Sequence, residues 1–148
     1  MFFNHIAEKI INYQINFLSD IFYVRLVTAI PANTIVMASQ LTEANGGTYT
    51  WQYIFHNSPK TFVNVGSEIL IKDFGSASWS ALTTATNTPL VGCVICRQAT
   101  IPSSTDWCVF FLPFPNTPNS PNGRFTPDAS DLLIEFKNNS GILKFKVQ

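Results

Sequence analysis

The sequence predicts an all-β fold: one antiparallel β-sandwich of about eight strands, preceded by a single N-terminal amphipathic helix. Three observations carry that expectation. Helical spacing of apolar residues occurs once, near the N-terminus. From residue 22 onward the apolar period is two. No helical pattern lies between the strand-like runs, and parallel pairing would need crossover helices there. The 148 residues suit one domain, 1–148, large enough to close a core without disulfides or metal.

Phe3, Ile6, Ile10, Tyr13 and Phe17 recur at spacings of three and four, with Asn4, Glu8, Asn12 and Asn16 on the other side. This stripe predicts a helix across residues 1–20. Such a helix either lids its own core or docks on a neighbouring subunit. A strand follows over residues 22–28, with Phe22, Val24 and Leu26 on one face, and Pro31 ends it. Residues 32–48 read as a long loop closing at Asn45-Gly46-Gly47. A strand over 50–56 puts Trp51, Tyr53 and Phe55 on one face, before a turn at Asn57-Ser58-Pro59 and two short strands over 61–65 and 68–74.

Residues 90–97 and 105–112 are apolar on both faces, as strands covered from two sides are. In the second, Trp107, Val109 and Phe111 oppose Cys108, Phe110 and Leu112. Composition then changes sharply. Residues 113–127 hold five prolines and three asparagines, so neither helix nor central strand fits, and a long surface loop is expected over 113–130. The chain closes with an expected hairpin of residues 132–137 and 142–147 about a turn at 139–141.

Charge excludes several functions. Nine basic and nine acidic residues give a formal net charge of zero, and no Lys/Arg run supplies the clustered positive charge that phosphate backbones require. Charged residues make up 12% of the chain, roughly half the ordinary share. Thirteen Phe exceed what one small core uses, so some rings serve either a Phe-packed core or a surface that another subunit covers. No stretch is long and apolar enough to span a membrane, and the interrupted N-terminus lacks a signal-peptide pattern. Synthesis in the cytoplasm with reduced cysteines is expected.

The search for chemistry ends in ordinary residues. Cys93 and Cys96 have the CxxC spacing, but on a strand side chains three apart face opposite ways, so the pair reads as buried and inert, as does Cys108. His5 and His56 read as structural. Asp128 and Asp131 stand close in sequence, where Asp side chains satisfy turn amides. With no phosphate loop, nucleophile elbow or ligand cluster, no catalytic residue, cofactor, metal or small-molecule substrate is assigned. Trp79, in the Ser-rich stretch Ser76-Ala77-Ser78-Trp79-Ser80, is the aromatic that could stack on a sugar or anchor an interface, against ordinary core filling.

Several stretches together resemble a family of small tailed-bacteriophage virion proteins. They are the apolar start, the run Tyr23-Val24-Arg25-Leu26-Val27-Thr28-Ala29-Ile30-Pro31, the run Glu43-Ala44-Asn45-Gly46-Gly47-Thr48-Tyr49, and the apolar pair Leu132-Leu133-Ile134-Glu135-Phe136 and Gly141-Ile142-Leu143. Arg25 stands where that pattern has a small residue, and the Pro/Asn-rich loop is a local insertion. The resemblance implies a non-enzymatic virion structural protein without cofactor, a capsid cement or decoration protein on the capsid exterior or else a tail or tail-fibre subunit. Its partners would be the major capsid protein and further copies of itself as a homo-oligomer, with no nucleic acid and no membrane. A carbohydrate-binding module is the alternative from another class. The residues expected to meet a partner are Phe2, Phe3, Trp79, Phe114, Arg124 and Phe125.

Overall fold

The computed structural model describes residues 1–54 and 74–136 in full, together with the backbone of strands Thr61–Val65, Glu68–Lys72 and Leu143–Lys146. The fold is the expected all-β antiparallel sandwich with one short N-terminal helix. A four-stranded sheet joins β1 (Phe22–Val27), β2 (Gln52–Tyr53), β6 (Gly92–Arg97) and β7 (Trp107–Pro113) in the order β2-β1-β6-β7. A three-stranded sheet runs β3 (Thr61–Val65), β4 (Glu68–Lys72), β9 (Leu143–Lys146), and β5 (Ser76–Thr83) pairs with β8 (Asp128–Glu135). Every pairing is antiparallel.

Of the two runs that are apolar on both faces, 90–97 became the central strand β6 and 105–112 the edge strand β7, beside the other central strand, β1. All six residues of β1 are buried, as are five of the six in β6. On one face Val24, Ile95 and Phe110 stand in a row across the sheet. Phe22 lies stacked on Phe17 there, with centroids 5.5 Å apart, and against Phe74 at 5.3 Å. Phe74 also meets Phe110 and Phe136. Much of the Phe surplus is therefore this core.

The helix is shorter than the stripe suggested: α1 covers Ile6–Ile11 and not residues 1–20. Asn12 caps it, and Tyr13 then adopts a left-handed φ of 56°. Gln14 N donates to Lys9 O at 2.8 Å, the back-bond that ends a helix. Tyr13 is left 95% exposed, whereas Ile15 and Phe17 reach the core from the non-helical chain beyond it. The stripe marked burial at Phe3, Ile6 and Phe17 but not at Tyr13, and it did not mark the end of the helix.

The outer edge of β7 is covered at two places. Phe111 N donates to Met1 O at 2.8 Å and Phe3 N to Val109 O at 3.4 Å, with Phe2 bridged to Phe110. Farther along, Cys108 N donates to Val36 O at 2.9 Å and Ala38 N to Asp106 O at 3.0 Å. Covering an edge in this way removes a template for unwanted strand pairing. The N-terminal segment packs on its own domain.

Three further expectations change. Among the described residues the two closing strands are not paired with each other: β8 pairs with β5, in register Trp79 opposite Leu132, and β9 pairs with β4. Both runs have strand patterning, but patterning does not name a partner. The Pro/Asn-rich loop also ends earlier than residue 130, because β8 begins at Asp128. The 50–56 strand shrinks to the pair Gln52–Tyr53 within the described residues. Phe55, His56, the turn at 57–59 and the turn at 139–141 lie outside them.

Candidate docking groove and buried polar cluster

Two arrangements stand out, one sealed and one open. The sealed one grows from β1, where Tyr23 and Arg25, two apart on a strand, share a face. Arg25 is 9% exposed and forms an ion pair with Glu43 through Nη1. Its Nη2 donates to Ser103 O at 3.1 Å, and both Nε and Nη2 lie 3.4 Å from the Tyr23 hydroxyl. Tyr23 donates to Asp106 Oδ2 at 2.9 Å, and Asp106 accepts from Ser103 N at 2.8 Å and Ala99 N at 3.1 Å. Tyr49 donates to Glu43 Oε1 at 2.6 Å and accepts from Leu26 N at 3.1 Å.

Burial above all pushes the Tyr23 and Tyr49 hydroxyls far above the ordinary tyrosine range. Burial works against the Arg25 charge, but the Tyr23 hydrogen bond and the Glu43 carboxylate outweigh it and hold the guanidinium protonated. The side-chain oxygens of Glu43 and Asp106 are engaged by backbone amides, Tyr23, Tyr49 and Arg25. Its evident work is mechanical: it clamps the loop after β1 and the loop before β7 onto the central strand. Sequence reading singled out none of these five side chains as a site. Their quoted segments, 23–31 and 43–49, do meet here.

The open arrangement is a groove of about 810 Å³ between the Pro/Asn-rich loop and β8. Phe114 and Phe125 meet edge to face in its wall, with centroids 6.4 Å apart, and Leu132 and Leu133 are also among its lining residues. The loop is pinned at both ends: Phe114 N donates to Val91 O at 3.1 Å, and Phe125 exchanges bonds with Leu90 at 2.8 and 2.9 Å. Between those ends, Asn122 N donates to Asn116 Oδ1 at 2.9 Å, and Thr117 and Ser120 bond to each other. The groove wall is thus preformed, which lowers the entropy lost on binding. Leu133 is 60% exposed at its margin, Arg124 is exposed, and Asp128, Asp131 and Glu135 bring the opposite charge. A shallower apolar depression lies beside β2, where Leu18, Ile21 and Tyr53 are exposed.

The expected partner-contacting residues divide. Phe114, Phe125 and Arg124 come together at the groove, with Phe125 itself buried as wall. Phe2 is partly exposed against Phe110. Phe3 and Trp79 are corrections: they are 1% and 3% exposed and belong to the core. The Ser-rich stretch is β5, whose alternation turns Ala77 and Trp79 inward and Ser78 and Ser80 outward. Trp79 Nε1 donates to Thr50 O at 2.7 Å, so neither ring nor N–H faces a ligand. Trp107 has Lys9 at 4.4 Å and Arg97 at 5.6 Å from its ring, and Trp51 packs against Tyr23 and Tyr53. Leu132 and Leu133 were missed as groove residues because their apolar run was assigned to a closing hairpin, whereas β8 follows directly on the loop and lines the groove with it.

The cysteines are buried, and their faces differ as the strand spacing required: Cys93 stands opposite Leu26 and Leu112, Cys96 opposite Tyr23 and Cys108. Burial raises the Cys93 thiol to about 12. His5 stacks on Phe3, and both its ring nitrogens are buried without a partner. Among the described residues no group of three His, Cys, Asp or Glu side chains could hold a metal ion, and no helix is long and apolar enough to cross a membrane. Comparison with known proteins found no matching family model, no similar curated protein and no similar solved structure.

Proposed function

We propose that the chain is a non-enzymatic virion structural protein that docks on other protein subunits through the groove between the Pro/Asn-rich loop and β8. The cement or decoration role on the major capsid protein is our leading reading. The observation that carries the docking is a groove lined by the edge-to-face pair Phe114 and Phe125, by Leu132 and by the exposed Leu133. Specific interfaces combine an apolar or aromatic centre with few charges and bury about 800 Å² per partner. A shell strained outward by packaged DNA is stabilised by any subunit that bridges its junctions, since that buried area must be separated before the shell opens. The virion assignment itself rests on the sequence resemblance. Its alternative, a tail or tail-fibre subunit, would use the same groove elsewhere on the particle. The carbohydrate-binding reading loses Trp79 as a stacking platform, because that ring is in the core, and keeps only the 113–127 loop.

The test is co-sedimentation of the purified chain with capsid shells lacking it, comparing the parent chain with Leu133→Asp. That side chain is mostly exposed, so the variant should keep its stability within about 0.5 kcal/mol. Saturable binding that falls at least tenfold in the variant is the expected result. Equal binding by both, or binding by neither, would defeat the groove-docking proposal on capsids.

A further inference from the structure

We propose that Cys96 and Cys108 constitute a cross-strand disulfide site, oxidised by a small-molecule disulfide of the glutathione class and tying β6 to β7. The two residues are direct partners in the antiparallel register, beside the shift that follows Ile95. Directly opposed residues have Cβ atoms about 4.5–5.5 Å apart, near the spacing of roughly 3.5–4.5 Å that a disulfide spans. Both are free cysteines. Cys93 lies on the opposite face of the sheet and is excluded by direction.

The chemistry balances as two successive exchanges. One protein thiolate attacks the reagent disulfide, whose S–S bond breaks and releases one small thiol. The second protein thiolate then attacks the mixed disulfide, releasing the other. Two protein thiols lose two electrons, one reagent disulfide gains them, and the two protons leave on the released thiols. Both cysteines are fully buried, and the segment bonded through Val36 O to Cys108 N covers the outer strand. Oxidation therefore proceeds during folding or when this cover lifts. In a reducing compartment the pair stays as thiols, and in an oxidising medium it closes. The site does not depend on the docking reading.

The full chain is to be refolded from urea in a buffer of reduced and oxidised glutathione, so that burial does not limit access. It is then unfolded and alkylated for peptide mass spectrometry. The expected product has lost two hydrogens, carries one alkylated cysteine at Cys93, and links the Cys96 peptide to the Cys108 peptide. Its thermal midpoint lies above that of the reduced chain, and Cys93→Ala forms the same link. Three alkylated cysteines, a link through Cys93, or a persistent glutathione adduct at Cys96 or Cys108 would overturn the assignment.

Discussion

Arg25 shows how much one side chain can organise. It is buried on a central strand, and its charge is answered by Glu43 from a loop 18 residues away. Removing one member of a buried pair leaves the other uncompensated, so Glu43→Gln should destabilise the chain by about 3 kcal/mol in urea unfolding. Tyr49→Phe removes the donor to Glu43 and the acceptor of Leu26 N, a loss of roughly 1–3 kcal/mol. The two buried tyrosines also set an alkaline limit. Their folded pKa values are raised above the ordinary 10.0, so the neutral hydroxyls favour the folded state. That contribution is complete below pH 10 and is lost as pH climbs from 10 toward the folded values, because the unfolded chain releases those protons first. Stability measured across this window should fall more gently in Tyr23→Phe and Tyr49→Phe than in the parent chain. None of this was legible beforehand: Tyr23 and Asp106 are 83 residues apart, and a polar residue inside an apolar strand does not announce its partner.

Strands were easier to read than their partners. The runs over 22–28, 90–97 and 105–112 are strands as their patterning predicted, but β1, read with one apolar face, is buried on both, and the two-sided β7 lies at the sheet edge under the N-terminal segment and residues 36–38. Trp79 was misjudged although its alternation with Ala77 was visible, because small serines on the outward face resemble a loop. The helix was overextended because burial at Phe17 continued the spacing of three and four after the backbone had turned at Tyr13. The β5–β8 pair carries its own signature, with Ala81 and Ala129 at φ 46° and 68° beside the register shifts. A left-handed alanine is unfavourable by about 1 kcal/mol or more, and glycine returns part of that gain as chain entropy. Ala129→Gly should therefore leave stability unchanged or raise it by up to about 1 kcal/mol. Gly92→Ala should do the reverse. An added Cβ would lie 2.3 Å from Leu112 O and 2.6 Å from the Phe111 ring, which forces β6 and β7 apart. A loss of roughly 1–3 kcal/mol is expected from such overpacking.

For the whole molecule, the main lesson is where the aromatic surplus went. Phe17, Phe22, Phe74, Phe110 and Phe136 build one continuous core. On the described surface lies a groove walled by aromatic rings and edged by Arg124, Asp128, Asp131 and Glu135. A chain of zero formal net charge gives long-range steering little to act on, so a partner is held chiefly by contact. Association with subunits should accordingly change little between low and physiological salt, which sedimentation at two ionic strengths would check. The most direct test of the central claim is quantitative mass spectrometry of purified particles whose heads and tails have been separated. The cement reading predicts on the order of hundreds of copies per particle, all travelling with the heads. A handful of copies on the tails would move the protein to the alternative place on the particle, and its absence from both would contradict the virion account altogether.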